Sequence, residues 1–456
     1  MKRKDLIVLG ILAGVLVGGI SLMFIQRREP PGYQEEHITP SEAGYHGRDA
    51  ARGDGPLTAV YWISVDGFHP GYLDRADTPF FDSILAGGAF SLEHEVVFPS
   101  VTFPSHVSQA TGVRPRSHGI PMNRFYDLQT RRHHSFPSDS RLLQAEPIWT
   151  TAARQGIRVA SLDWVLSHGQ AGEHRTEFFD SEYRRGLANE ERLERLLEIW
   201  RDDGASPEPL RLMMGYAVGP DTPGHRYGPG SDEVIAAVEE IDDILGRHYE
   251  EIIALWDERM EPEDELYFIV TSDHGMTEVR TLVHPGYLTG LKDRREEIIL
   301  ISGGPIAHIY FDRKLPLRDR ERIHDATLRR LASYSYVRAF SREELPLEWN
   351  YGHPSRTGDI VIVLDPGYVF SEKPDGITMS AEDGGGPFGM HGYDPKDDPN
   401  MKTIALFHRH PEPLGGVDLG PVHSLQLHPT VAGILGIDPA EGAAGDPIDL
   451  EPAQDR

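Results

Sequence analysis

The chain has 456 residues, and its 72 acidic and 45 basic side chains give a formal net charge of −27 at pH 7. So negative a surface excludes a protein that binds nucleic acid polymers through their phosphates, although a small phosphate ester can still bind where local cations offset the field. The chain contains no cysteine, so it forms no disulfide, and any metal ion must be held by His, Asp or Glu.

The N-terminal segment predicts a membrane anchor. Residues 6–25 carry no charge, and a helix of this length, at about 1.5 Å per residue, spans a bilayer. Basic residues precede this run, so residues 1–28 are predicted to be a signal anchor with its N-terminus in the cytoplasm; a cleaved signal peptide is the alternative. Gly10, Gly14 and Gly18 line one face of this helix, which gives a possible homodimer contact. Residues 29–56, rich in proline, glycine and charge, are predicted to be a flexible tether.

This orientation places the bulk of the chain outside the cytoplasm. None of its asparagines lies in an N-x-Ser/Thr sequon, and it has no cysteine. An exported protein of this composition is more typical of bacteria than of eukaryotes. We therefore expect a membrane-anchored protein of the bacterial periplasm.

From residue 57 onward, buried strands alternate with helices. Apolar runs such as LTAVYWISV, LRLMMGYAV and ELYFIVT are separated by helical patterns. This alternation predicts an α/β fold over residues 57–440, a doubly wound and mostly parallel sheet with helices on both faces. Residues 300–366 are expected to form a smaller α+β insertion, and residues 441–456 an irregular tail. The long helical pattern at 231–260 is expected to break near Gly246.

The stretch FPSVTFPSH, residues 98–106, places the hydroxyl of Thr102 at a strand–turn–helix corner. The helix is predicted to open at Pro104 and to end at Gly112. A threonine at such a place is most often only a helix N-cap. Backbone N–H groups also converge on an anion at such corners, so the second interpretation is that Thr102 acts on a bound phosphate.

Carboxylates and histidines follow directly on three buried strands, one of them through the Pro/Gly-rich stretch 219–229, which is predicted to be a loop. Because the carboxyl ends of parallel strands meet at one edge of the sheet, these side chains are expected to lie together beside Thr102. Each alone is most often a turn residue or a surface histidine. Together with a histidine from a glycine-rich loop they offer the O and N ligands that two divalent cations need. The set is Asp66, Asp221, His225, Asp273, His274 and His391.

At these residues the chain resembles the nucleotide pyrophosphatase/phosphodiesterase family of the alkaline phosphatase superfamily. The resemblance extends over residues 60–435 and implies an alkaline-phosphatase-like catalytic domain. The matching motifs are, in chain order, SVDGF (64–68), FPSVTFPSHVSQATGVRPRSHGI (98–120), Asn123, GPDTPGHRYGP (219–229), TSDHGM (271–276) and MHGYD (390–394).

The resemblance implies a site with two zinc ions and with Thr102 as the nucleophile. One ion would be held by Asp66, Asp273, His274 and the hydroxyl oxygen of Thr102. The other would be held by Asp221, His225 and His391. Manganese and iron stay open, because Asp and His ligands suit all three metals.

The resemblance also implies how the substrate is held. Asn123, with a backbone N–H near Phe103, would bind a phosphoryl oxygen. A neutral side chain suits a phosphodiester with its single charge, whereas an arginine would better suit a dianionic monoester. Three arginines lie nearby in sequence, namely Arg114, Arg116 and Arg124.

Three aromatic residues match family positions that contact the group attached to phosphorus: Phe103, Trp164 and Tyr216. The family usually continues Trp-Pro-Gly where this chain has Trp164-Val165-Leu166. The pocket shape therefore stays open, and the substrate can be a nucleotide, a dinucleotide, a lipid headgroup diester or another organic phosphodiester.

The sequence thus predicts a two-metal phosphodiesterase or nucleotide pyrophosphatase that forms a covalent phosphothreonine at Thr102. A metal ion on a hydroxyl oxygen lowers its pKa, which is otherwise far too high for ionisation at neutral pH. The same residues also allow a phosphonate hydrolase, a phosphoryl (headgroup) transferase, or a membrane-tethered binding protein without catalysis. A sulfatase and a cofactor-independent mutase are disfavoured, because their nucleophiles would be Cys or Ser.

Overall fold

The computed structural model describes residues 56–203, 208–294 and 296–451. A central sheet runs through the described part of the chain and contains nine of its strands. In sheet order these are Val417–Asp418, Ala89–Glu95, Thr403–His410, Glu265–Thr271, Thr58–Val65, Leu212–Ala217, Val159–Ser161 and Phe178–Phe179, with Val422–His423 beside Ala89–Glu95.

The sheet is mostly parallel. Thr58–Val65 pairs in parallel with Leu212–Ala217 on one side and with Glu265–Thr271 on the other. Thr403–His410 is antiparallel to both of its neighbours. The predicted α/β fold with a mostly parallel central sheet is therefore confirmed.

Helices cover both faces of this sheet, because successive side chains of a strand point to opposite sides. Tyr61 and Ile63 belong to the core formed with Pro79–Gly87, Asn189–Asp203 and Asp232–Arg259. Val60 and Trp62 belong to the core on the opposite face. The helices of that face are Thr102–Thr111, Ile148–Arg154 and Leu427–Leu435.

A smaller antiparallel sheet lies where the sequence pattern changes. Its strands, in order, are Ile298–Gly303, Ile306–Phe311, Ile360–Leu364 and Val337–Ser341. The helices Pro285–Thr289 and Leu317–Leu331 contribute Leu288 and Ile323 to the same apolar core. Most of these elements fall within residues 300–366, and that this stretch is an insertion into the main domain stays a prediction.

The remaining elements are short. The strands are Arg124–Asp127 paired with Arg132–Ser135, Thr277–Glu278 paired with Gly389–Met390, and Thr281–Val283 between Tyr368–Phe370 and Thr378–Ser380. The short α-helices are Pro115–His118 and Asp221–Tyr227. The 3₁₀ turns are Pro70–Tyr72, Ser140–Leu142, Arg342–Glu344, Leu347–Trp349, Pro399–Met401 and Ser424–Gln426.

Two local predictions are wrong. The helix Asp232–Arg259 runs through Gly246 without a break. A Cβ at Gly246 would lie 3.3 Å from the Cβ of Phe80, so the glycine permits close packing between helices instead of ending one. The stretch predicted as the loop 219–229 contains the helix Asp221–Tyr227.

No helix among the described residues is both long and apolar enough to cross a membrane. The predicted anchor at 1–28, with its glycines Gly10, Gly14 and Gly18, lies outside the described residues. So does the predicted tether, apart from Pro56.

Candidate active site

The central strands end level with one another. Ser64 lies opposite Tyr216 on one neighbouring strand and opposite Thr271 on the other. Asp66 and Asp273 each follow two residues beyond this level. The register therefore brings two carboxylates to the same edge of the sheet, as the sequence predicts.

The turn after the first strand brings a third carboxylate close. Gly67 has a φ of +74°, and a Cβ at this position would lie 2.9 Å from the Cα of Asp221. Glycine is needed here both for the left-handed backbone and for the close approach. Asp221 and His225 are four residues apart on the helix Asp221–Tyr227, so they lie on one face of it.

The hydroxyl of Thr102 reaches this edge from the start of a helix. The helix Thr102–Thr111 begins two residues earlier than predicted, and its N-cap is Val101. The N-cap interpretation of Thr102 is therefore wrong. The Oγ1 atom of Thr102 lies 3.2 Å from Nε2 of His274.

His106, for which the sequence suggested no role, lies buried below Thr102. Its Nδ1–H donates to the carbonyl of Thr102 at 2.9 Å, and its Nε2 accepts from the hydroxyl of Ser64 at 2.8 Å. Burial lowers the pKa of His106 to about 4, so the ring is neutral. It fixes the backbone of the proposed nucleophile to the central strand. Only its position four residues after Thr102, one helical turn away, signals this role.

A first group of candidate metal-binding residues consists of Asp66, Asp273 and His274, whose ligand atoms all lie within 4.8 Å of one another. Nε2 of His274 is 3.2 Å from Oδ1 of Asp66 and 3.1 Å from Oδ2 of Asp273. These are the three protein residues predicted for one ion, beside the Thr102 hydroxyl.

A second group consists of Asp221, His274 and His391, again with ligand atoms within 4.8 Å of one another. Nε2 of His391 lies 3.8 Å from Oδ1 of Asp221, and Nε2 of His225 lies 3.2 Å from the same oxygen. His274, predicted for the first ion alone, therefore belongs geometrically to both groups. The two groups are adjacent parts of one centre.

The three histidines are oriented in the same way. The Nδ1–H of each donates to a backbone carbonyl, which turns Nε2 towards the carboxylates; such outer hydrogen bonds are typical of metal-binding histidines. The pairs are His225 with Gly389 at 2.9 Å, His274 with Gly275 at 3.0 Å and His391 with Ser100 at 3.0 Å.

One oxygen of each carboxylate is buried and makes no hydrogen bond: Oδ1 of Asp66, Oδ1 of Asp221 and Oδ2 of Asp273. Buried charged oxygens without partners are costly, and a bound cation removes the cost. Hard carboxylate oxygens and imidazole nitrogens are also the donors that zinc, manganese and iron accept. The residues present thus fit divalent cations.

Crowded negative charge shifts the protonation of this centre. Burial, and then the charge of Asp66, raise the pKa of Asp273 well above its usual range. Burial would lower the pKa of His274, but the carboxylates of Asp273 and Asp66 outweigh it and raise the value to about 10. Burial, reinforced by His274 and His225, lowers the pKa of His391. Divalent cations would replace the protons that this cluster retains.

Asn123 lies beside the backbone N–H of Phe103, and binding of a phosphoryl oxygen there stays a prediction. The backbone N–H of Phe103 donates to Oδ1 of Asn123 at 3.0 Å. Because Oδ1 is used in this way, the amide NH₂ of Asn123 remains as the donor for an oxyanion. Phe103 is half-buried and directly follows Thr102.

The other two aromatic predictions fare differently. Trp164 is 0% exposed and packs on Trp62, with ring centroids 4.7 Å apart, so it is a core residue and offers no surface to a substrate. The hydroxyl of Tyr216 donates to Oδ2 of Asp66, which ties this ring to a candidate metal ligand. Direct contact between Tyr216 and substrate stays a prediction.

Two further aromatic rings border the site and were missed. Phe136 lies with its ring centroid 5.8 Å from that of Phe103. The ring of Tyr183 lies 6.4 Å from that of Tyr216. Neither residue falls in a motif, and both come from irregular stretches whose placement depends on tertiary packing.

A mostly parallel sheet whose strand ends gather Asp, His and a threonine hydroxyl is the architecture that the sequence predicts for a member of the alkaline phosphatase superfamily. The family described as type I phosphodiesterase / nucleotide pyrophosphatase matches residues 60–394. The chain belongs to this family.

Similar proteins span most of the chain. Bis(5'-adenosyl)-triphosphatase from Xenopus laevis is 28% identical over 82% of this chain and 77% of its own length. Human ectonucleotide pyrophosphatase/phosphodiesterase family member 7 is 28% identical over 84% and 81%. The solved structure of human family member 5 has 26% sequence identity and a TM-score of 0.70, covering 84% of this chain and 96% of that one. These relatives support a hydrolase of phosphodiester or pyrophosphate bonds.

Proposed function

We propose that this protein is a two-metal phosphodiesterase or nucleotide pyrophosphatase that works through a covalent phosphothreonine at Thr102. The observation that carries the proposal is that three buried carboxylate oxygens without hydrogen bonds gather around His274, whose Nε2 also lies 3.2 Å from the hydroxyl oxygen of Thr102. Asp66, Asp273 and His274 would hold one cation, and Asp221, His225 and His391 the other. We propose zinc as the metal, with manganese or iron as alternatives.

Divalent cations bound there would supply positive charge against the attacking and leaving oxygens of an in-line displacement. The reaction begins when the hydroxyl of Thr102 gives its proton to solvent water and its Oγ1 attacks phosphorus. The new Oγ1–P bond forms as the bond to the leaving oxygen breaks, and the leaving oxygen takes up a proton from solvent water. A water then attacks the phosphothreonine from the opposite side, which releases the phosphorylated product and restores the threonine.

Asn123 positions the reacting phosphoryl group in this scheme. Its amide NH₂ would donate to one non-bridging oxygen, while the N–H of Phe103 holds the amide in place. His106 donates a hydrogen bond to the carbonyl of Thr102 and so fixes the backbone at the start of the helix. This fixes the direction in which the hydroxyl of Thr102 points. These neutral groups suit a phosphoryl centre with a single negative charge.

The substrate class follows from the family and from the site. We propose a nucleotide or another organic phosphodiester, or a diphosphate, as the substrate. The similar protein from Xenopus laevis is named for hydrolysis of a bis-adenosyl triphosphate, which supports the nucleotide form. The aromatic side chains of Phe103 and Phe136 can accept a planar group at the same place.

A paired assay tests the proposal. The protein is given bis-p-nitrophenyl phosphate and p-nitrophenyl phosphate, with and without a chelator, alongside Thr102→Ala. We expect hydrolysis of the diester, slower hydrolysis of the monoester, and loss of turnover with the chelator and in the variant. Preference for the monoester would contradict the role given to Asn123. Phosphoryl transfer to an added alcohol with little hydrolysis would favour a transferase.

We also propose that residues 1–28 anchor the protein in a membrane with the catalytic domain outside the cytoplasm, in a bacterial periplasm. The charge-free run at 6–25 after basic residues supports this. Protease added to spheroplasts is expected to remove the catalytic domain. If the catalytic domain is protected from the protease until the inner membrane is broken, the proposed location outside the cytoplasm is wrong.

A further inference from the structure

The three arginines near the phosphoryl-binding motif differ in how they are used. The Nη2 of Arg114 donates to His423 at 3.2 Å, and the Nη1 of Arg116 donates to the carbonyl of Gly352 at 3.1 Å. Arg124 is exposed and makes neither an ion pair nor a side-chain hydrogen bond with any described residue. In a chain of net charge −27, a cation left without a carboxylate is available to a ligand.

An aromatic ring holds this arginine. The guanidinium carbon of Arg124 lies over the ring of Phe136, 5.1 Å from its centroid. Stacking on a ring uses the flat face of a guanidinium and leaves its N–H edges free to bind an oxyanion with two hydrogen bonds. The ring thus contacts the guanidinium of Arg124, while the guanidinium N–H groups make no hydrogen bond to any described residue.

The backbone at Phe136 is held in a strained form that directs this ring. Phe136 has a φ of +45°, which is rare for a bulky residue, and its side chain is 42% exposed. Its N–H donates at 2.7 Å to the carbonyl of Asn123, the residue before Arg124. Strain of this kind persists where the surroundings fix it, most often at functional sites.

The same ring contacts Phe103, the residue after the proposed nucleophile. Phe136 meets Phe103 edge to face, at 79° and 5.8 Å, and Phe103 follows the proposed nucleophile. Phe103 in turn donates its N–H to Asn123. Arg124 is thus connected to the phosphoryl-binding amide both along the chain and through two rings.

We propose that Arg124, held by Phe136, binds a second anionic phosphate group of the substrate. This inference rests on the proposed function and narrows it to substrates that carry a phosphate besides the one that reacts. The second phosphate can be part of a diphosphate or triphosphate chain, or it can be attached to the sugar or alcohol on the other side of the reacting phosphorus. A simple diester with one negative charge leaves Arg124 unused.

Three thymidine substrates separate these sources. The p-nitrophenyl ester of thymidine 5′-monophosphate has one charge, thymidine 5′-triphosphate adds phosphates on the anhydride side, and the same ester with a 3′-phosphate adds one on the sugar side. For Arg124→Gln in the full chain we expect kcat/KM on one of the two substrates with an additional phosphate, divided by kcat/KM on the simple ester, to fall about tenfold or more, mainly through KM. Whichever substrate shows the fall identifies the source.

Three further variants show whether the fall in this ratio comes from the loss of the Arg124 guanidinium. Arg124→Lys keeps the charge but loses the planar fork, so it should recover part of the ratio. Phe136→Leu should lower the ratio in the same direction by a smaller factor. Arg132→Gln, an exposed arginine at the other end of the same hairpin, should leave the ratio at the wild-type value.

Two results would overturn the inference: an equal loss on all three substrates, which would place Arg124 on the reacting phosphate or in the hairpin structure, or no loss on any. Binding of thymidine 5′-diphosphate, thymidine 3′,5′-bisphosphate and thymidine 5′-monophosphate to Thr102→Ala, with and without Arg124→Gln, tests the same point without turnover. If Arg124→Gln weakens binding of the diphosphate or of the bisphosphate more than binding of the monophosphate, the inference stands even where the proposed hydrolysis fails. If it weakens binding of all three equally, or of none, the inference is wrong.

Discussion

The imidazole rings of His274 and His391 lie face to face, with centroids 3.4 Å apart and planes 7° from parallel. One ring follows a central strand, and the other comes from the glycine-rich loop near the end of the catalytic domain. Two stacked imidazoles cannot both be positively charged imidazolium ions at low cost, which agrees with the opposite directions of their pKa shifts. The stack marks the place where the two groups of candidate ligands join.

The number of bound metal ions tests whether His391 belongs to a separate metal site. We expect His391→Ala to keep about one of two bound metal ions, because Asp66, Asp273 and His274 remain intact for the other. His174→Ala, which removes an exposed histidine, serves as the control. Atomic emission of the protein after gel filtration gives the number of ions per chain. Two retained ions in His391→Ala would exclude this histidine as a ligand.

Tyr216 is predicted to tune the first group of ligands through its hydrogen bond to Asp66. Tyr216→Phe removes the donor and leaves the ring in place. Since partners of metal ligands typically contribute about 10–100-fold to metal affinity, we expect a loss of that size. Competition with a chromogenic chelator measures it, and Tyr227→Phe, at an exposed tyrosine, is the matched control. If Tyr216→Phe and the wild type bind the metal with equal affinity, the hydrogen bond between Tyr216 and Asp66 does not contribute to metal binding.

Asn123 allows a sharp comparison of two variants. Asn123→Ala removes the proposed oxyanion donor, and we expect kcat/KM for a diester to fall roughly 10²–10³-fold. Asn123→Asp keeps the acceptor for the N–H of Phe103 but replaces the donor with a negative charge, so it should be worse. Steady-state kinetics at equal metal content decide the order. If Asn123→Asp were more active than Asn123→Ala, the hydrogen bond from Phe103 would be the main contribution of Asn123 to activity.

Much of the centre could be predicted because it depends on local rules. Asp66 and Asp273 follow apolar strands, and parallel strands end together, so their meeting needs no knowledge of loops. The sequence places Thr102 at a corner correctly, but it predicts a helix start at Pro104, two residues after the start at Thr102. Such boundary errors are usual where a proline lies within the first turn.

The rest depends on contacts between distant segments. Trp164 matched a pocket position, yet Asp163 and Leu166 on either side of it adopt positive φ and the ring packs on Trp62. No motif in the sequence marks Phe136, whose backbone N–H donates to Asn123 and whose ring lies beside Phe103. Positive φ at residues other than glycine is set by tertiary structure, so periodicity does not reveal it.

A buried histidine in the smaller sheet is expected to make the folded protein less stable at low pH. His308 is fully buried in the smaller sheet, where its Nδ1 hydrogen-bonds the hydroxyl of Tyr310 at 3.0 Å and its Nε2 hydrogen-bonds the hydroxyl of Tyr351 at 2.8 Å. Burial, with the charge of Arg342, lowers the pKa of His308 to about 3. Between the usual value of about 6.5 and that value, the unfolded chain binds a proton that the folded chain does not.

Stability should therefore fall as pH decreases below about 6.5, with His308 contributing about 1.4 kcal/mol per pH unit. His308→Gln cannot titrate, so we expect lower stability at pH 7.5 but a slope shallower by that amount. Urea unfolding at pH 7.5, 6 and 5, in the presence of a chelator so that metal release does not contribute, gives the slopes. His174→Gln should keep the wild-type slope, because this histidine is exposed. An unchanged slope in His308→Gln would mean that the ring is already protonated in the folded chain.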